Sequence, residues 1–107
     1  MATTYKILGN NNPSAASDYT LVTGGSNGTV VSAFTACNTS GNTDTIRVAL
    51  VPNGGSLATS TYVMYGYSVP ANSTLQTNPG WSLESGATLH VYSTGGNVTF
   101  VATGVNF

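Results

Sequence analysis

Thr43-Asp-Thr-Ile-Arg-Val-Ala-Leu-Val51 is the stretch that decides the fold of this chain. Ile46, Val48 and Leu50 recur at every second position, with Thr45, Arg47 and Ala49 between them. A period of two sends successive side chains to opposite faces of a β-strand, whereas a helix needs spacings of three and four. Turn-forming clusters bound the segment on both sides: Asn38-Thr-Ser-Gly-Asn42 before it and Pro52-Asn-Gly-Gly55 after it.

The same grammar extends outward in both directions. Upstream, Thr29 to Asn38 is the longest candidate strand. Strict alternation there groups Val30, Ser32, Phe34 and Ala36 against Val31, Ala33, Thr35 and Cys37, and Phe34 marks the core face. Asp18 to Val22 reads as a strand ended by a hairpin-type loop, Gly24-Gly-Ser-Asn-Gly28, and Tyr5 to Leu8 as a short first strand. Downstream, Tyr62-Val-Met-Tyr-Gly-Tyr67 is rich in aromatic and β-branched residues. Thr74 to Thr77 follows as a short strand, and Ala87 to Ser93 with Asn97 to Val105 reads as a closing hairpin across Thr94-Gly-Gly96. The expectation is an all-β chain: an antiparallel β-sandwich, jelly-roll-like, of seven or eight short strands. Residues 1–17 are expected to form an extended N-terminal arm, and residues 18–107 a single β-sandwich domain.

Composition narrows function. Only Lys6, Arg47, Asp18, Asp44 and Glu84 are charged, 5% of 107 residues, where about 25% is usual. Thr, Ser, Asn and Gly fill about half the chain instead. Two cations and a net charge of -1 supply no basic footprint for nucleic acid. No apolar run approaches the length of a membrane helix. The N-terminal residues carry no signal-peptide pattern, so synthesis in a cytoplasm is expected. Cys37 alone cannot form an internal disulfide. Four Asn-x-Ser/Thr triplets, at Asn27, Asn38, Asn72 and Asn97, are what this composition produces by chance.

Catalytic machinery is sparse. His90 alternates with Leu89 and Val91 and reads as a surface or interface histidine. No ligand pair among His90, Cys37, Asp18, Asp44 and Glu84 has local metal-binding spacing. Cys37 reads as a buried structural thiol rather than a nucleophile paired with His90. The three carboxylates fall in separate loops, unlike the pair that glycoside hydrolysis needs; a local ion pair with Arg47 or a turn-capping role accounts for Asp44. Paired glycines at Gly24, Gly54 and Gly95 join strands to strands and lack the following helix of a phosphate loop. Neither catalysis, cofactor nor metal is expected. Aromatic side chains remain: Tyr65, Tyr67 and Trp81 are the candidates for stacking on sugar rings.

A surface with so little charge is cheap to desolvate, which marks a subunit covered by neighbours. The run Cys37-Asn-Thr-Ser-Gly-Asn-Thr-Asp-Thr-Ile-Arg-Val-Ala-Leu-Val-Pro52, then Ser56-Leu-Ala-Thr and Tyr62, resembles a family of small virion proteins and repeats of tailed bacteriophages, cyanophage-like ones in particular. Ala87-Thr-Leu-His-Val-Tyr-Ser-Thr-Gly-Gly-Asn-Val-Thr-Phe100 is similar to a second stretch of that family. The resemblance covers residues 18–104 and implies a non-enzymatic structural subunit of the virion. The leading expectation is a capsid decoration or cement protein, a homo-oligomer with a trimer favoured, bound to the major capsid protein or other virion subunits. Tyr5, Lys6, Ile7 and Leu8 are the candidate assembly contacts. The alternative is a tail or baseplate module that binds host surface glycan.

Overall fold

The computed structural model describes residues 4–107. Among the described residues nine strands form: β1 (Thr4–Asn11), β2 (Tyr19–Thr23), β3 (Thr29–Asn38), β4 (Asp44–Val51), β5 (Tyr62–Val69), β6 (Thr74–Thr77), β7 (Trp81–Leu83), β8 (Thr88–Ser93) and β9 (Val98–Asn106), with one 3-10 turn at Thr59–Thr61. They make two antiparallel sheets, ordered β1-β9-β3-β6 and β2-β8-β4-β5. This nesting, with the chain crossing between sheets at almost every connection, is that of a jelly roll. The ninth strand, unforeseen in the sequence, is β7. It pairs with Thr29 to Val31 while β6 pairs with Phe34 to Cys37, so the two are one edge strand interrupted at Asn78-Pro79-Gly80.

The core lies between the sheets. Phe34, Ala36, Phe100 and Ala102 come from the larger sheet, and Ile46, Val48, Leu89 and Val91 from the smaller; all eight are fully buried. Phe34 stacks on Phe100 with ring centroids 5.9 Å apart. In the strand that decided the fold, Ile46 and Val48 lie in the core and Leu50 packs against it, while Ala49, in the opposite set, is buried as well.

Three sequence-based expectations differ from what forms. First, β3 does not alternate strictly. Its register against β9 slips between Val31 and Ala33, and this bulge turns Val31 to the core beside Phe34 and Ala36. Gly104, opposite Val31, makes room for this close approach, since a Cβ there would collide with the Val30 carbonyl oxygen. Second, β8 and β9 are not a hairpin. They belong to different sheets, and Thr94–Asn97 arches over the end of the sandwich; Gly24–Gly28 likewise joins strands of different sheets. Third, β1 lies within the expected arm, yet it pairs along β9 from Thr4 to Asn11 and is the edge of the larger sheet. Met1, Ala2 and Thr3 lie outside the described residues.

The β8–β9 arch exists because Asp44 holds it. Its carboxylate is buried and accepts from Ser93 Oγ at 2.7 Å, Gly95 N at 2.8 Å, Asn97 N at 3.2 Å and Thr45 N at 2.8 Å. Burial alone would push this carboxyl's pKa up; the bonds from Ser93, Gly95, Asn97 and Thr45 together outweigh it and hold the pKa below the ordinary value. Asn38 does the same work for the neighbouring β3–β4 loop. Its Nδ2 donates to Asn42 O and Val69 O, and its Oδ1 accepts from Ser40 N and Ser40 Oγ. Every hydrogen-bonding position of the amide is thereby used.

Candidate functional site

The two outer faces of the sandwich differ in kind. In the larger sheet, Lys6 is the sole charged residue among the described residues of its five strands. Register places Val30, Ala33, Thr35 and Cys37 of β3 opposite Val105, Thr103, Val101 and Thr99 of β9, away from the core. Tyr5 and Ile7 of β1 pair with Val105 and Thr103, so they extend this face to the sheet edge, where they are 78% and 62% exposed. Lys6 is exposed between them, and Leu8 packs against the core. Of the four candidate assembly residues, three therefore face solvent on one edge strand.

The smaller sheet carries the polar chemistry. Its outer face presents Arg47 and Ala49 of β4, His90 and Tyr92 of β8, and Tyr62 and Tyr65 of β5. Two bulges arrange the tyrosines. The β5 register skips Val63 and Gly66, so Tyr62 lies opposite Ala49 and Tyr65 opposite Arg47, while Tyr67 lies opposite the core residue Ile46. Gly66 takes φ of +70°, which a residue with a Cβ adopts only at a cost. Plain alternation would have put Tyr65 and Tyr67 on one face; the bulge separates them.

Arg47 is clamped between two rings. Its guanidinium carbon lies 4.5 Å from the centroid of Tyr65 and 4.4 Å from that of Tyr92, an arrangement worth about 0.5–2 kcal/mol per ring. Tyr65 also meets Tyr62 edge-on, with centroids 4.9 Å apart and planes at 78°. Beside this pair lies a groove of about 700 Å³ lined by Leu57, Ala58, Thr59, Tyr62 and Tyr65.

Trp81 is not part of this cluster. It stands on β7 of the other sheet, half-buried, with its ring 5.4 Å from that of Phe34. Of the three sugar-stacking candidates, Tyr65 alone reaches the groove. Trp81→Ala is expected to lower stability by about 2–3 kcal/mol, in the manner of an aromatic truncation at the core margin, read as a lowered midpoint in urea.

Among the described residues, the remaining His, Asp, Glu and Cys side chains form one ion pair, His90 with Asp18, and no cluster of three. His90 is fixed by two hydrogen bonds, Nδ1 with Asp18 Oδ2 at 2.6 Å and Nε2 with Thr88 Oγ1 at 2.8 Å. Thr88 and His90 share a face because they are two apart on β8, and Asp18 leads into the neighbouring strand β2. The chain of bonds orients the imidazole and ties the approach to β2 onto β8. Glu84 Oε2 accepts from Asn53 N at 3.3 Å. Asp44 has the capping role and not the ion pair with Arg47. Cys37, half-buried, lies on the outer side of the larger sheet and His90 on that of the smaller, so the sandwich separates them. Among the described residues, no three of His, Cys, Asp and Glu converge as metal ligands.

Sequence reasoning missed the Arg47 clamp and the Tyr62 wall of the groove. The one signal available was that Arg47 occupies the outward set of an alternating strand. Its partners depend on the Gly66 and Val63 bulges, which alternation does not encode. Compared with family models, curated proteins and solved structures, the chain matches none of them, so its function is read from these two faces.

Proposed function

We propose that this protein is a non-enzymatic structural subunit of a tailed-phage virion, a cement or decoration protein on the capsid exterior. The observation that carries the proposal is the larger sheet: five strands, one charge, and an exposed apolar edge at Tyr5 and Ile7. Free sheet edges are normally guarded by several charges or by a covering loop. Here one lysine stands guard, and a neighbour supplies the cover. Four strand positions, one of them shared by β6 and β7, about 4.8 Å apart and about 30 Å long present on the order of 600 Å², at the lower end of what one partner contributes to a standard interface. The family resemblance of Cys37 to Pro52 and Ala87 to Phe100 supports the virion as the setting.

In this reading, copies meet through the β1 edge as a symmetric trimer and lay the uncharged face on the major capsid protein. Each copy adds contact area that exists only in the assembled shell, so binding stabilises the shell by mass action. Light scattering on the purified protein is expected to give three times the 10.9 kDa chain mass. Ile7→Lys places a second cation on the edge and is expected to weaken self-association at least tenfold, by about 1.4 kcal/mol or more. Cryo-EM of intact particles locates the subunit, and density confined to the tail overturns the capsid assignment.

A further inference from the structure

We propose that the groove beside Tyr62 and Tyr65, together with the Arg47 guanidinium, is a binding site for a carboxylate-bearing sugar ring. The site lies on the smaller sheet, opposite the face assigned to assembly, so both can be occupied at once.

The argument begins with Arg47. Its guanidinium carbon lies within 4.5 Å of the ring centroids of both Tyr65 and Tyr92, which flank it from the neighbouring strands β5 and β8. Among the described residues no carboxylate lies within ion-pair distance of Arg47; the one ion pair formed is His90 with Asp18. A planar fork, held rigid and without an acidic partner, matches the two oxygens of a carboxylate. The clamp also removes much of the side-chain entropy that Arg would otherwise lose on binding.

The groove supplies the rest of the ligand. Its volume of about 700 Å³ is within the range that holds small molecules. Tyr65 is shared: it forms one side of the Arg47 clamp and one wall of the groove. The Tyr62 and Tyr65 rings stand nearly perpendicular, so a saccharide's C–H face can lie on one ring while its edge meets the other. Thr59 adds an exposed hydroxyl at the same wall. An apolar acid would leave that hydroxyl and the tyrosine O–H groups unused, and a neutral sugar would leave the fork empty. An acidic sugar satisfies both.

The test is an NMR titration with trigalacturonate against its methyl ester, which keeps the rings and removes the charges. The acid is expected to shift resonances of Tyr62, Tyr65 and Arg47, with the ester about tenfold weaker. Arg47→Lys keeps the charge but not the fork, and is expected to weaken the acid about tenfold; Tyr65→Ala removes both wall and clamp and is expected to abolish binding. Equal affinity for acid and ester, or no outer-face shift at millimolar acid, overturns the proposal. Because that comparison uses the wild-type protein, it stands even if a variant fails to fold. Absent saccharide binding together with loss of self-association in Arg47→Lys would assign the fork to a neighbour's carboxylate, which also overturns it. Mass reports on assembly and resonance shifts on the saccharide, so either proposal can fail alone.

Discussion

Asp44→Asn is expected to lower stability by on the order of 3 kcal/mol, a fall in melting temperature of roughly 15 °C for a domain of this size. The substitution keeps the volume and removes an acceptor. One side-chain oxygen remains where two accepted from Thr45, Gly95, Ser93 and Asn97. The new amide presents N–H groups toward backbone N–H groups, leaving buried donors without partners, the costly half of a lost hydrogen bond. The same carboxylate gives the fold an acid limit. Its folded-state pKa is held below the ordinary value, so its contribution is complete above the unfolded pKa of about 4 and is lost as pH falls through the folded one. Thermal melts of the wild type from about pH 5 down to pH 2 are expected to show this loss, and Asp44→Asn is expected to show a shallower slope. Equal slopes would mean that Asp44 is not the residue that sets acid stability.

Gly104→Ala is expected to cost a similar amount, about 3 kcal/mol, the upper end for overpacking. The new methyl would collide with the Val30 carbonyl and approach the Ser32 nitrogen at 3.0 Å, both of them backbone. Neither can yield as a side-chain tip would. Relief requires β3 and β9 to part at the bulge, in the centre of the larger sheet. Hydrogen exchange is the discriminating measurement: protection is expected to fall for Val30 to Ala33 and Thr103 to Val105 more than for the smaller sheet.

These two residues mark the boundary of what the sequence discloses. Alternation at Ile46, Val48 and Leu50 is a local signal, because the pleat forces it, and the sandwich follows from repeating it. The expectation of a β8–β9 hairpin failed because Thr94-Gly-Gly96 has the same composition whether it folds back within a sheet or arches across to the other. The arch is chosen by Asp44, about fifty residues earlier. Bulges escape for a related reason: Gly66 and Gly104 resemble any turn glycine until their partner strands are known. The candidate site inherits this limit. Tyr65 was visible as an aromatic on a strand, but its alignment with Arg47 and Tyr92 needs three strands in register. The contact of Trp81 with Phe34, 47 positions away, likewise needs the β3–β7 pairing to be known. By contrast, the uncharged face was legible in outline, since charge depletion is a property of composition and needs no register.

The place of β9 governs when the larger sheet can form. As the last strand of the chain it lies inside the larger sheet, hydrogen-bonded to β1 on one side and β3 on the other. Until Val98 to Asn106 has been synthesised, β1 has no sheet to join and β3 lacks its longest pairing. Such end-to-end pairing is slow to form and comes late. A chain that lacks Val98 to Asn106 therefore owns no intact larger sheet, because β1 and β3 lose the neighbour they share.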